Sequence, residues 1–326
     1  MRAPSVLDVA REARVSPSTV SRALNGTGEI APETRARILA ACEALGYTKN
    51  SAAAALRGRP SRAVAALMPS QEHERFLEKI HALRVAAGEA GFDWRLESYR
   101  DAREGERLLL DLVASRPAAL ILSGLLPDDD LRQRILEERL ATVLYDSAAP
   151  GWDEVILDRE AGSAEAVRHL LVAGKRRILL LGASLESERG RGWRRAHEAF
   201  GLAVDTRLVW DRPYPRNLHL WGLEQGRELA SLPGIDGVFA VNDAAALGVL
   251  RALHEAGRRV PEEVAVIGLD GIQAGEVSVP SLTTVEQPCE AMARAALELL
   301  VRRRGDFQAP HERRLLAPFL RVRESA

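Results

Sequence analysis

Cysteine is scarce in this 326-residue chain, which has only Cys42 and Cys289. The two lie far apart and give no metal-ligand spacing, so we expect both to be small core residues. The seven histidines are scattered, without paired spacing to carboxylates. Neither a metal cluster nor a nucleophile and base pair stands out, so we expect no cofactor, no metal and no enzyme activity.

Long apolar runs are also absent. No stretch approaches the roughly 20 apolar residues that a membrane span requires. No charged segment followed by an apolar one opens the chain, as it does in an export signal. We therefore expect a cytoplasmic protein without a membrane partner.

Charge shows no overall excess of one sign, but it is unevenly distributed. Residues 1–62 contain ten Lys and Arg against five Asp and Glu, whereas the whole chain has 45 against 46. The remainder therefore has 35 against 41. A basic segment joined to an acidic body is the pattern expected when the basic part meets phosphates.

The basic segment carries the pattern of a helix-turn-helix. Apolar residues recur at helical spacing from Val6 to Ala13 and resume at Val20. Between them, Ser16 is placed to cap a second helix, with Pro17 at its first position. A third helix is predicted from Pro32 to about Leu45, and the three enclose one small core. Its inner stripe is predicted to be Ile38, Leu39, Cys42 and Leu45. A polar helix face is often only solvated, but the local basic charge favours DNA binding.

The chain resembles the lactose-repressor (LacI/GalR) family of bacterial transcription factors over essentially its whole length. The residues that carry the resemblance in this first part are Asp8, Val9, Ala10, Val15, Ser16, Thr19, Val20, Ser21, Arg22, Leu24, Asn25, Thr34, Arg35, Leu45, Gly46, Tyr47, Asn50 and Leu56. Two departures stand out. Arg14 occupies a turn position where the family usually has Gly or Asn, so a positive φ there would strain it. Ala31 replaces the usual Ser or Thr cap of the third helix.

The resemblance implies that the second helix enters the major groove of operator DNA. Pro17 and Ser18 would lie at its base-reading start, and Arg22 would read guanine through a bidentate fork. We expect Thr19, Ser21 and Asn25 to contact phosphate or to hold the fold. Residues 51–59 are alanine-rich and too short to form a stable helix alone. The family folds this segment into a hinge helix on DNA, with Leu56 as a minor-groove wedge.

Beyond Arg62, apolar runs alternate with amphipathic helices, which predicts parallel sheets covered on both faces. The predicted strands are 64–68, 119–122, 142–145, 155–157, 178–181, 238–241, 264–269 and 315–322. We expect a three-helix headpiece followed by an α/β, two-lobed regulatory domain like that of periplasmic binding proteins. The expected boundaries are a headpiece at 1–50, a hinge at 51–60 and a regulatory domain at 61–326, with the N-lobe at about 61–159 and 288–316 and the C-lobe at about 160–287 and 317–326.

Ligands of open parallel sheets bind beyond the carboxyl ends of the strands. Asp146, Asn242 and Asp270 follow such strands, and Arg189 lies in the loop after another. We expect Asp243 to be only a helix cap or turn former. The segments 189–193, 239–243, 266–270 and 280–288 are similar to signature segments of the family. The effector residues implied are Ser70, Phe76, Asp146, Arg189, Asn242, Asp270 and Gln287.

Several positions depart from the family where ligand identity is decided. Gly271 replaces a common second Asp, Arg75 is unusual beside Phe76, and Asn217 occupies a position where a stacking aromatic residue is frequent, with Tyr214 as a substitute. The sequence favours a carbohydrate effector, because carboxylate, amide and guanidinium groups suit vicinal hydroxyls. A purine and a phosphorylated or carboxylated sugar remain alternatives.

The main functional hypothesis is a ligand-controlled repressor that binds a palindromic operator as a homodimer. The chain ends soon after its last predicted strand, so we expect a dimer in preference to a tetramer joined by a coiled coil. The alternative is an enzyme or a transport-type binding protein on the same scaffold, since a fold does not fix function. The DNA-binding segment argues against that alternative.

Overall fold

The computed structural model describes residues 6–25, 30–45, 61–70, 74–213, 215 and 217–326. The chain divides into two compact units at the boundary between Ser61 and Arg62. The hinge segment 51–60 and Tyr214 lie outside the described residues, so the expectations about them stay predictions.

The first unit contains three helices, α1 (Val6–Glu12), α2 (Pro17–Asn25) and α3 (Pro32–Leu45). They enclose one apolar core, formed by Val9, Ala10, Ala13, Val20, Ala23, Ile38 and Ala41. The prediction that Leu39 belongs to this core is wrong, because its side chain is 54% exposed. Residues three and four apart share a helix face. The inner stripe of α3 therefore passes through Ile38 and Ala41, and Leu39 points about 100° away from Ile38.

The second unit, residues 62–326, is built from alternating strands and helices. Its strands are β1 (Ala63–Pro69), β2 (Asp93–Tyr99), β3 (Ala119–Leu122), β4 (Thr142–Tyr145), β5 (Asp153–Leu157), β6 (Ile178–Leu181), β7 (Val209–Trp210), β8 (Gly237–Ala240), β9 (Ala265–Asp270), β10 (Thr283–Glu286), β11 (Arg313–Leu316) and β12 (Phe319–Arg321). Its helices are α4 (Glu74–Glu89), α5 (Ala102–Ala114), α6 (Asp129–Glu137), α7 (Arg159–Val172), α8 (Glu188–Ala199), α9 (Leu218–Ser231), α10 (Asp243–Glu255) and α11 (Cys289–Gly305), with 3-10 helices at Thr206–Leu208 and Gln273–Gly275.

The strands form two six-stranded sheets, each the centre of one lobe. The N-lobe sheet has the order β11-β5-β4-β3-β1-β2, and all its pairings are parallel. The C-lobe sheet has the order β12-β10-β9-β8-β6-β7, with β12 antiparallel to β10. Central strands such as β3 and β8 are buried along their whole length, as expected when helices cover both faces.

The prediction of one strand over 315–322 is wrong. The structure has two strands there, and they belong to different sheets: β11 pairs with β5 in the N-lobe, and β12 pairs with β10 in the C-lobe. Pro318 lies between them and cannot donate to a ladder, which favours a break at this position. The chain passes from one lobe to the other at this point.

Candidate functional site

The polar face of α2 is the candidate DNA-contacting surface of the first unit. Pro17, Ser18 and Arg22 are exposed on it. The hydroxyl of Ser16 accepts a hydrogen bond from the backbone N–H of Thr19 at 3.1 Å, which is the helix cap that the sequence predicts. The same hydroxyl lies 2.7 Å from the hydroxyls of both Ser18 and Thr19. The start of α2 thus presents a cluster of donors and acceptors.

The turn before α2 has the strain that the sequence predicts. Arg14 has a φ of 53°, in the left-handed region that disfavours a bulky side chain. Ser21 is half-buried, and Asn25 is the last residue of α2. Leu56 lies outside the described residues, so its role as a wedge stays a prediction.

The second candidate site, which we call the cleft, lies at the carboxyl ends of the strands. Asp146 follows β4, Asn242 follows β8, Asp270 ends β9 and Gln287 follows β10. Arg189 was expected in a loop but is the second residue of α8, after β6. Asp146 and Asp270 have φ values of 56° and 133°, which are unusual for residues with a side chain. Backbone strain of this kind is often concentrated at binding sites.

Asp146 carries two ion pairs. Its Oδ2 atom lies 2.6 Å from Nζ of Lys79, on α4, and 2.6 Å from Nη2 of Arg159, the first residue of α7. Burial opposes ionisation of this carboxyl, but the two cations outweigh it and lower its pKa below the ordinary value. The Oδ1 atom is buried and accepts no hydrogen bond from the described residues. One carboxylate oxygen therefore joins two elements, and the other remains available as an acceptor.

Asp270 has a different environment. Its Oδ1 atom accepts a hydrogen bond of 2.6 Å from Nε2 of Gln287. Burial raises the pKa of Asp270, although the positive charges of Lys79, Arg189 and Arg75 oppose that change. The Oε1 atom of Gln287 is buried and has no hydrogen-bond partner among the described residues. The pair thus offers oxygen atoms to a ligand that donates hydrogen bonds.

Asn242 and Asp243 begin α10. Oδ1 of Asn242 accepts a hydrogen bond from the N–H of Ala245 at 2.8 Å, so this side chain caps the helix and leaves its amide N–H groups to a ligand. Asp243 is fully buried, and its Oδ2 atom accepts from the N–H groups of Gly271 and Ile272 at 2.7 and 2.8 Å. Asp243 therefore holds the turn after β9, the type of structural role expected from the sequence.

Ser70 and Phe76 differ in how they can contribute. Ser70 is exposed just after β1, and its N–H donates to the carbonyl oxygen of Tyr99 at 2.6 Å. The ring of Phe76 is only 8% exposed and belongs to the N-lobe core with Met68, Leu83 and Met292. Most of the ring surface is therefore used in packing and is not free to stack on a ligand.

Three polar members of the cleft were not predicted from the sequence: Lys79, Tyr145 and Arg159. The side chain of Lys79 lies on the buried stripe of α4, four residues after Arg75. Residues four apart share a helix face, so Arg75 and Lys79 place two cations on a stripe that is otherwise apolar. This pattern is visible in the sequence and could have indicated a polar site. Tyr145 is the last residue of β4, directly before Asp146, and Arg159 lies two residues after the end of β5. Both positions are at the carboxyl ends of strands, the same criterion that identified Asp146.

Comparison with known proteins places this architecture in a family. Residues 5–50 match the model of bacterial regulatory proteins of the lacI family, and residues 167–326 match that of a periplasmic binding protein-like domain. The HTH-type transcriptional regulator GntR of Pseudomonas aeruginosa is 34% identical over 91% of this chain and 88% of its own length. The chain belongs to the LacI family. Its function as a transcriptional regulator, with a helix-turn-helix headpiece and a two-lobed domain, follows from that membership.

Two further LacI-family matches cover nearly the whole chain. The HTH-type transcriptional regulator CelR of Thermobifida fusca is 34% identical over 99% of this chain and 98% of its own length. A solved structure described as a transcriptional regulator CelR–cellobiose complex is 32% identical, with a TM-score of 0.71 and coverage of 99% of this chain and 100% of that one.

Two absences apply only to the residues that the structure describes. Within them, no cluster of three or more His, Cys, Asp and Glu side chains is placed to hold a metal ion. No helix in the same ranges is long and apolar enough to span a membrane.

Proposed function

We propose that this LacI-family regulator is a repressor that binds a palindromic operator as a homodimer and responds to a small polar effector in its cleft. The observation that carries the proposal is the presence, in one chain, of an exposed polar face on α2 of the helix-turn-helix and a cleft with unpaired polar atoms. Neither an enzyme nor a transport protein requires the first of these surfaces.

On DNA, the start of α2 provides apolar contact from Pro17 and a hydroxyl donor from Ser18. The exposed guanidinium of Arg22 has the fork geometry that matches the O6 and N7 acceptors of guanine. Thr19, Ser21 and Asn25 are assigned to phosphate contact or to support of the fold. Leu56 acts as the wedge that opens the minor groove at the centre of the operator.

In the cleft, Asp146 and Gln287 have unpaired acceptor atoms. Gln287 also donates to Asp270, on which the charges of Lys79 and Arg189 act. A polyhydroxylated ligand satisfies both acceptors and donors of this kind. We therefore favour a carbohydrate or a carbohydrate derivative as the effector. The CelR–cellobiose complex, a relative with a bound sugar, supports this choice of class.

Dimerisation is assigned to the second unit, where apolar side chains are exposed on two segments. Leu77 and Val85, on α4, are 60% and 41% exposed, and Val277 and Val279, after β9, are 83% and 91% exposed. Exposed apolar side chains grouped in this way are typical of association surfaces. Two headpieces related by a two-fold axis match the two halves of a palindrome. As a DNA-binding regulator, the protein is assigned to the bacterial cytoplasm.

The test is selection of DNA by the full-length protein from a randomised duplex library. We expect enrichment of a palindrome whose half-sites are read by one headpiece each, and a mass in solution of twice that of the chain. Enrichment of no sequence would contradict operator binding. Enrichment of single, unpaired half-sites by a monomer would contradict the dimer while leaving DNA binding intact.

A further inference from the structure

Arg75 is a buried cation that uses only one of its three nitrogens in the hydrogen bonds of the described residues. It is the second residue of α4 and is 6% exposed. Its Nη1 atom forms an ion pair with Glu78 and donates to Sγ of Cys289 at 3.4 Å. Its Nε and Nη2 atoms are buried and have no hydrogen-bond partner among the described residues. A buried donor without a partner is unfavourable and requires an explanation.

The two unpartnered nitrogens lie on the same edge of the guanidinium plane. Nε–H and one Nη2–H point outward from that edge in parallel, so together they form a bidentate donor, which we call the fork. Such a fork matches two oxygen atoms held in one plane, which is the geometry of a carboxylate.

The surroundings of this fork belong to the cleft. Nη2 lies so close to Gly271, after β9, that a Cβ at that position would be 2.9 Å away. The charges of Lys79 and Arg189 act on Asp270 together with that of Arg75. The phenol oxygen of Tyr145 is also buried without a partner, and the charge of Arg75 acts on it. Donors therefore gather at this end of the cleft.

Two other unpaired atoms of the cleft are hydrogen-bond acceptors. Oδ1 of Asp146 and Oε1 of Gln287 are buried and receive no hydrogen bond from the described residues. Hydroxyl groups of a ligand can donate to them. The cleft thus pairs an acceptor-lined part with a donor fork.

We propose that the effector is a sugar acid or another polyol with a carboxylate, and that the Nε and Nη2 edge of Arg75 binds that carboxylate. The inference rests on the proposed function, because it names the class of ligand for the same cleft. A carboxylate fits better than a phosphate ester, which carries about −1.5 to −2 charges at neutral pH. Glu78 and Asp270 act on the guanidinium and would repel a dianion more strongly than a monoanion.

The experiment is calorimetry on the full-length protein with matched ligand sets: hexonic and hexuronic acids, the neutral hexoses and hexitols with the same carbon skeletons, and hexose 6-phosphates. Each set is titrated into the wild type, Arg75→Lys and Arg107→Lys. Arg75→Lys keeps the charge and removes the fork. Arg107→Lys makes the same change at an exposed position of α5 and serves as the control. Thermal unfolding shows whether each variant is folded.

We expect at least one acid to bind the wild type about 10- to 100-fold more tightly than its neutral counterpart. Arg75→Lys should remove most of that preference and Arg107→Lys none of it. Equal binding of acid and neutral ligand, preference for the phosphate, or an unchanged preference in folded Arg75→Lys would each overturn the inference. So would a panel in which no acid binds. Operator binding of the same preparations is measured in parallel, and only its failure would contradict the proposed DNA-binding function.

Discussion

The fold brings the pKa of the Asp243 carboxyl up towards physiological pH. Burial and the nearby charge of Asp270 raise its pKa from 3.8 to about 7, in spite of the hydrogen bonds from Thr284 and the N–H groups of Ile272 and Gly271. Because the folded state binds this proton more tightly, the contribution of Asp243 to the free energy of unfolding is full below pH 3.8. It falls as the pH rises through about 7.

We therefore predict that Asp243→Asn flattens the pH dependence of stability. An asparagine can accept from the backbone N–H groups and donate to Thr284 without a charge. Urea unfolding between about pH 5 and pH 8 should show that the wild type loses more stability than the variant as the pH rises. Asp111→Asn, at an exposed site on α5, should keep the wild-type slope. A slope in Asp243→Asn equal to that of the wild type would show that this carboxyl is ionised throughout.

Arg22 is the residue to which we assign base discrimination. Loss of a bidentate guanine contact is worth roughly 1–3 kcal/mol against the wrong base. Arg22→Ala should reduce the ratio of operator to scrambled-DNA affinity accordingly, as measured by fluorescence anisotropy. Arg11→Ala removes the same charge from α1, where the side chain is 82% exposed, and should lower both affinities while keeping their ratio. A ratio unchanged in Arg22→Ala would reassign guanine reading to another residue.

Single residues were predictable from sequence where the local chain decides their role. Ser16 caps α2 and Arg14 has a positive φ because both features depend on neighbours in sequence. The ion pairs of Asp146 were not predictable, because Arg159 lies in another lobe and Lys79 is 67 residues away. Contacts of this kind depend on how the lobes meet, and no local pattern encodes that.

At the scale of elements, α9 and α10 pack through glycine. A Cβ on Gly222 would lie 2.2 Å from the carbonyl oxygen of Ala245, so the two helix backbones approach closely at this point. We predict that Gly222→Ala lowers the free energy of unfolding by about 1–3 kcal/mol through overpacking. The fluorescence of Trp193, Trp210 and Trp221, which lie in the C-lobe core, reports the transition in denaturant.

Gly88→Ala, in α4, is the matched control, because a Cβ there would meet no atom within 4 Å. Alanine is the better helix former, so this variant should keep or slightly raise stability. Equal stability of Gly222→Ala and the wild type would mean that α9 and α10 separate at no cost, contrary to the close packing described.

Buried strands were the elements best predicted from sequence. The runs 119–122, 142–145 and 178–181 agree with β3, β4 and β6 at both ends, because continuous apolar runs mark strands covered on both faces. β2 was missed, since most of its residues are only partly buried and its pattern is mixed. The division of 315–322 between two sheets depends on lobe topology, which hydrophobicity alone does not specify.

At the scale of the whole molecule, contacts join the two lobes across the cleft. Asp146, at the end of an N-lobe strand, pairs with Arg159, which opens the first C-lobe helix. The N–H of Gln273, in the C-lobe, donates to Glu74 on α4 at 2.7 Å. Under the proposed function, an effector bound among these groups would have a different affinity for each arrangement of the lobes. It would then shift operator affinity by that difference in affinity.

The most direct test of this account is the operator affinity of the full-length protein, measured with and without the best-binding ligand of the calorimetric panel. We predict that the ligand changes operator affinity about 5- to 150-fold in the wild type. Arg189→Ala should bind the operator as the wild type does without ligand, and should lose both ligand binding and the response. If Arg189→Ala binds the ligand as tightly as the wild type and responds to the same extent, the assignment of the cleft as the effector site is contradicted.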